Sequence, residues 1–100
     1  MRISTHVLDT ELGRPAAGVR VELHRGDDLV GADTTDADGR IADLSEGQSL
    51  GPGSYRLVFS GPPSRFFRRV EVEIEVEDPD RPYHVPLLVS PYSCAIYRGS

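Results

Sequence analysis

The sequence contains no lysine or tryptophan, and its single cysteine is Cys94. Since one cysteine cannot form an internal disulfide, folding does not depend on an oxidising compartment. All 11 basic residues are arginines, and the 16 acidic residues give a net charge of −5. An acidic total argues against nucleic acid as a partner, although Arg65, Arg68 and Arg69 form a small basic cluster. We interpret that cluster as a solvated strand edge.

Long apolar runs are also missing. No segment is long and apolar enough to cross a bilayer, so we expect no membrane partner. Met1 and Arg2 lead directly into Ile3 without the apolar region of a signal peptide, and we therefore expect a cytoplasmic protein. The length of 100 residues predicts a single domain, residues 1–100.

No segment has the apolar period of a helix, whereas alternation with period 2 recurs along the chain. Between 70 and 76 the apolar residues alternate with glutamates, which is typical of a strand with one buried and one hydrated face. The same pattern predicts the other strands, namely Ile3–Leu8, Val19–Leu23, Leu29–Thr34, Tyr55–Phe59, Tyr83–Val89 and Tyr92–Tyr97. Short strands separated by Gly and Pro turns indicate an antiparallel sandwich or barrel.

The segment Asp36-Ala37-Asp38-Gly39 looks at first like half of a calcium loop. It lacks the third oxygen ligand before the glycine and the glutamate at loop position twelve. We interpret it as a tight turn with its glycine at positive φ, which places Arg40 directly after the turn.

Three histidines are candidates for chemistry. His24 lies on the polar face of its strand, where a surface role is the simple interpretation. His6 and His84 lie inside strands, and most such histidines are satisfied or solvated side chains. Both of these, however, belong to longer motifs.

Those motifs are Ser4-Thr5-His6-Val7-Leu8-Asp9, Tyr83-His84-Val85-Pro86-Leu87-Leu88 and the final Tyr97-Arg98-Gly99-Ser100. Together they resemble the 5-hydroxyisourate hydrolases, the enzymatic branch of the transthyretin family. The resemblance implies an all-β, transthyretin-like fold, a two-sheet antiparallel β-sandwich of about 7–8 strands. It also implies a homotetramer with active sites between subunits.

The site is likewise implied by the resemblance. Its catalytic residues would be His6, Arg40, His84 and Ser100, and its substrate-binding residues Tyr97, Arg98 and Gly99. The implied reaction is hydrolysis of 5-hydroxyisourate to 2-oxo-4-hydroxy-4-carboxy-5-ureidoimidazoline in urate degradation, with no metal and no cofactor. One imidazole, with His6 slightly favoured, would activate a water that attacks a ring carbonyl. Arg40 would stabilise the developing negative charge, and Arg98 would do the same or anchor the tail.

Two departures from the family pattern stand out. Ser93-Cys94-Ala95-Ile96 occupies the place where the hydrolases usually have Gly-Tyr-Ser-Thr. Strand alternation places Cys94 and Ile96 on the face opposite Tyr97. The resemblance implies that Tyr97 faces the cleft, so Cys94 and Ile96 would point into the core, and we expect Cys94 to be an inert small hydrophobe. The second departure is Gly61-Pro62-Pro63-Ser64, which cannot continue a helix, so the usual short helix should be absent or reduced.

Two alternatives to the enzyme remain. One is a transthyretin-like carrier of a small ligand without catalysis, although carriers lack the cleft histidines and the Tyr-Arg-Gly-Ser ending. The other is a structural β-sandwich module, which would leave His6 and His84 unexplained.

Overall fold

A computed structural model describes residues 1–100. It contains no helix and therefore none that could cross a membrane. The chain forms nine strands: β1 (Arg2–Asp9), β2 (Arg14–Pro15), β3 (Arg20–Arg25), β4 (Asp28–Thr34), β5 (Arg40–Ile41), β6 (Gly53–Ser60), β7 (Arg69–Val76), β8 (Pro82–Ser90) and β9 (Ser93–Ile96).

The strands form two sheets that face each other, which confirms the predicted sandwich. One sheet has the order β2-β1-β8-β9, with β5 also paired to β1, and the other has the order β4-β3-β6-β7. All pairs are antiparallel except β1 and β8, which run parallel from Arg2 opposite Pro82 to Asp9 opposite Val89. The sandwich is therefore mostly antiparallel, with one parallel pair at the centre of the first sheet. A long connection through the second sheet separates the two strands, and such a connection permits parallel pairing.

The core lies between the sheets and is built from the inward positions of the predicted alternation. It draws its fully buried side chains from both sheets, including Ile3, Val7, Val21, Leu23, Tyr55, Leu57, Phe59, Leu87 and Val89. Burying a side chain of this size stabilises the fold by about 1.5–3 kcal/mol, so these positions hold the sheets together.

The predicted strands agree with the structure to within a few residues, but β2 and β5 were not predicted. Each is only two residues long, too short to show an alternation. The inner face of β7 is half-buried rather than buried, with only Val76 fully covered. This strand is at the edge of its sheet, so one flank has no neighbouring strand.

The connection between β6 and β7 contains no helix, as the prolines predicted. A tight turn takes its place, in which the Ser64 hydroxyl oxygen accepts hydrogen bonds from the backbone N–H groups of Phe66 and Phe67. In β9, Cys94 and Ile96 pack against the core while Ala95 is exposed, which confirms the predicted alternation.

Gly31 in β4 provides a test of the contact between β4 and the segment that follows β5. A Cβ placed on Gly31 would overlap the backbone carbonyl oxygen of Leu44. We expect Gly31→Ala to lower the free energy of unfolding by about 1–3 kcal/mol, because a backbone group cannot move aside as a side chain can. Denaturant unfolding measures this effect.

Gly51→Ala is the matched control. A Cβ at Gly51 would meet only Arg25 Nη1, at 3.9 Å. Equal stability of the two variants would show that the Leu44 carbonyl does not limit this position.

Candidate active site

A cleft of about 440 Å³ opens on the outer face of the five-stranded sheet, where β1, β5 and β8 meet the C-terminal tail. Its lining is mostly polar and consists of Arg2, Ser4, Thr5, Asp36, Arg40, Ile41, Ala42, Pro82, His84, Gly99 and Ser100. The parallel register places Ser4 opposite His84. Three of the four predicted catalytic residues, Arg40, His84 and Ser100, therefore share one cleft.

Arg40 is positioned by the predicted turn before it. The Asp36 carboxylate accepts hydrogen bonds from the backbone N–H groups of Asp38, at 2.9 Å, and Arg40, at 3.0 Å. Gly39 adopts φ +73°, and a Cβ there would lie 2.5 Å from the Val7 carbonyl oxygen, so only glycine fits. The turn delivers Arg40 to β5, opposite His6 on β1.

The C-terminal tail is fixed to β8 by its backbone. The Gly99 N–H donates to the His84 carbonyl oxygen at 2.8 Å and forms an isolated β-bridge. A Cβ on Gly99 would lie 2.5 Å from His84 Cδ2. Any residue other than glycine at position 99 would therefore collide with the imidazole. This contact holds Ser100 in the cleft.

The His84 imidazole is half-buried, and its Nδ1 lies 2.8 Å from Ser4 Oγ. Desolvation lowers the pKa of His84 below its usual value of 6.5, and the positive charge of Arg40 adds to this effect. His6 and Arg2 contribute in the same direction, while a hydrogen bond to the Ser4 backbone opposes it. The imidazole is therefore held neutral, the form that can accept a proton.

Asp36 introduces a negative charge beside these cations. The hydrogen bond from the Arg40 backbone is the main cause that lowers the pKa of Asp36, and the charges of Arg40 and His6 contribute less. The carboxylate therefore stays ionised at neutral pH, and it partly balances the arginines of the cleft.

The other predicted site residues lie outside this cleft. His6 is half-buried on the same face of β1 as Ser4, but it does not line the cavity. Tyr97 and Arg98 line a second cavity of about 310 Å³ between β7, β8 and β9. The Arg98 guanidinium lies 4.7 Å from the centre of the Tyr83 ring, which is consistent with a role as an anchor of the tail.

Sequence analysis did not identify Arg2, Ser4 or Asp36 as cleft residues. Ser4 has the same alternation phase as His6, so its face was predictable, but its partner depends on the parallel register. Asp36 appeared only as a turn residue. No group of three or more His, Cys, Asp or Glu side chains has the arrangement of a metal site.

Comparison with known proteins decides the family. Residues 3–99 match the family described as the HIUase/Transthyretin family. The chain belongs to this family. It is 42% identical to 5-hydroxyisourate hydrolase 2 of Rhizobium meliloti over 99% of the chain and 96% of that protein. It is also 42% identical to the 5-hydroxyisourate hydrolase of Caulobacter vibrioides, over 98% of the chain and 97% of the relative.

Solved structures show the same fold in both branches of the family. The 5-hydroxyisourate hydrolase of Klebsiella pneumoniae superposes with a TM-score of 0.87 and 34% identity, covering 99% of this chain and 98% of that one. Sea bream transthyretin in complex with thyroxine superposes with a TM-score of 0.84 and 26% identity, covering 99% and 95%. The fold alone therefore does not separate the hydrolase from the carrier.

The environment of His84 leads to a prediction about its titration. We expect a pKa below 6.5 that rises in an Arg40→Gln variant, because that substitution removes a repelling positive charge. The imidazole Cε1 proton followed by NMR measures both values. Arg20→Gln in the other sheet is the control, and an unchanged pKa in Arg40→Gln would contradict the assignment.

The same shift makes stability depend on pH. Because the folded pKa lies below the unfolded one, the unfolded chain binds more protons in the window below about pH 6.5. The free energy of unfolding should therefore fall as the pH drops through this window, and His84→Gln should remove that part of the slope.

Proposed function

We propose that this chain hydrolyses 5-hydroxyisourate to 2-oxo-4-hydroxy-4-carboxy-5-ureidoimidazoline, a step of urate degradation. The observation that carries the proposal is that His84, Arg40 and the Gly99–Ser100 tail line one polar cleft, where desolvation lowers the pKa of His84. The hydrolase names of the full-length relatives support it. With a single cysteine and no disulfide, the chain suits a cytoplasmic location.

The proposed mechanism needs a base and a cation. A neutral imidazole takes a proton from water while the water oxygen bonds to the ring carbonyl carbon. Arg40 donates hydrogen bonds to the oxygen that becomes negative, and the fixed charge stabilises the tetrahedral intermediate. The imidazolium then returns the proton to the ring nitrogen as the C–N bond breaks, which leaves an opened ring and a carboxylic acid that releases its proton to solvent.

The cleft geometry favours His84 over His6 as the base. His84 lines the cleft and has a lowered pKa, whereas His6 lies one strand away from the tail, opposite Arg40. We propose that His6, Tyr97 and Arg98 contact the substrate only in the assembled protein, where a neighbouring subunit extends the cleft.

A homotetramer is part of the proposal. Strands β7 and β9 are sheet edges without a partner strand, and the second cavity opens between them. Tyr97 is 56% exposed next to this opening. Natural proteins cover or pair such edges, and association of copies would do so here.

The carrier function is the alternative. Sea bream transthyretin, solved with thyroxine, has the same fold. An apolar ligand would require an apolar site, but only two of the residues that line the cleft are hydrophobic. The polar, charged lining therefore favours hydrolysis in this cleft over the binding of an apolar ligand there.

The direct test follows the ultraviolet decay of 5-hydroxyisourate generated in situ by urate oxidase. We expect the protein to accelerate the decay. The His6→Ala/His84→Ala double variant should be slower by a factor of about 10²–10⁴, the usual contribution of a positioned base. A His24→Ala variant is the control for loss of an unrelated histidine. A folded wild-type protein without acceleration would contradict the hydrolase and favour the carrier.

The tail is tested by Gly99→Ala. The added Cβ must move from 2.5 Å to an ordinary contact with the His84 ring, a displacement of about 1 Å. We expect kcat/KM to fall by about 10²-fold, because displacements of this size misalign reacting groups. Gly51→Ala is again the control, and the melting temperature verifies that both variants fold. Unchanged turnover in Gly99→Ala would remove the close tail contact from the mechanism.

A further inference from the structure

The ring of His84 is held on two sides. Ser4 Oγ lies 2.8 Å from Nδ1, and the Gly99 backbone packs against Cδ2 so closely that a Cβ would lie 2.5 Å away. No protein group forms a hydrogen bond with Nε2. The ring is thus fixed in orientation with Nε2 as the nitrogen available to the cleft.

Ser4 owes its position to the β-ladder. It lies directly opposite His84 in the parallel pairing of β1 and β8, and its neighbours Ile3 and Thr5 are buried in the core. Its hydroxyl makes no side-chain hydrogen bond except the one to His84. The hydroxyl is therefore not needed by the core, and its contact is with a candidate catalytic group.

A serine hydroxyl can either donate to Nδ1 or accept from it, and the two cases give His84 different roles. If Ser4 donates, Nε2 carries the proton and His84 is a hydrogen-bond donor towards the cleft. If Ser4 accepts, Nε2 has a free lone pair and His84 is a base. The direction of one hydrogen bond thus decides the chemistry of the imidazole.

We propose that Ser4 is a positioning residue that accepts a hydrogen bond from His84 Nδ1–H and so keeps Nε2 unprotonated towards the cleft. This inference rests on the proposed hydrolysis. In the reaction, Nε2 takes a proton from water as the O–H bond breaks and the C–O bond forms. Nε2 then gives the proton to the leaving ring nitrogen as the C–N bond breaks.

The proposed reaction requires this direction. A base that acts in the cleft must present an unprotonated Nε2, and the neutral imidazole then carries its one proton on Nδ1, which lies 2.8 Å from Ser4 Oγ. The charged and titratable groups that face the ring are Arg40 from β5, His6 and Arg2 from β1, and Asp36 from the turn before β5.

The test compares Ser4→Ala with Ser4→Thr, which keeps a hydroxyl, and with Ser54→Ala as a matched control. Ser54 is also a strand serine with one side-chain hydrogen bond, to Glu75, and it lies in the other sheet. We expect Ser54→Ala, which removes this hydrogen bond, to leave turnover unchanged. We expect Ser4→Ala to lower kcat about tenfold, with KM little changed. A tenfold change corresponds to about 1.4 kcal/mol, the size of the net contribution of one hydrogen bond. Ser4→Thr should recover most of the rate.

The pH profile of kcat/KM separates positioning from simple structural damage. Loss of an acceptor destabilises the imidazolium, so the acid limb should shift to lower pH in Ser4→Ala. A shift to higher pH would mean that Ser4 donates to Nδ1, and an unchanged profile would mean that Ser4 does not act on His84. Either result overturns the proposal.

A second measurement does not depend on turnover. Long-range ¹H–¹⁵N NMR correlations, assigned with His84→Gln, report the tautomer of the neutral ring in the wild-type protein. We expect the Nδ1–H form, and the Nε2–H form would overturn the inference even if the protein is an active hydrolase. A wild-type protein that shows the Nδ1–H form but has no hydrolase activity would instead contradict the proposed function alone.

Discussion

The parallel pairing of β1 and β8 is the interaction on which the rest of the molecule depends. It joins residues about eighty positions apart, Arg2 with Pro82 through Asp9 with Val89, and it forms the centre of one sheet. The inward side chains of both strands supply much of the core, while the outward ones form the wall of the cleft. Stability and site geometry therefore depend on the same pairing, since a slip of either strand by one residue would turn its own cleft residue, Ser4 or His84, into the core.

Electrostatic balance around this ladder explains how an imidazole can serve as a base near neutral pH. Desolvation and the Arg40 charge both act against protonation of His84, whereas Asp36 remains ionised because backbone N–H groups bind its carboxylate. Arg40 thus has two effects in the proposed reaction. It keeps the base unprotonated before the reaction and stabilises negative charge during it.

The alternation of apolar residues predicted the seven longer strands and the core, because burial on one face of a sheet leaves a period-2 pattern. Motifs shared with the hydrolases predicted His6, Arg40, His84 and the tail as candidates. The partnership of Ser4 with His84 was not predictable, since it depends on a parallel register that local sequence does not encode. The positions of Tyr97 and Arg98 beside a second cavity also depend on the strand ending at Ile96, where the alternation stops.

The short connection between β6 and β7 has a consequence for how chain length can vary in this fold. Ser64 closes that connection with a compact turn, and none of the cleft residues lies within it. Residues can be added or removed there without changing the register of β1 against β8. An insertion of one residue within β1 or β8 would instead turn the cleft side chains beyond the insertion to the opposite face of that strand. A change of length in this connection therefore leaves the cleft pairing in register, whereas a change of length within β1 or β8 does not.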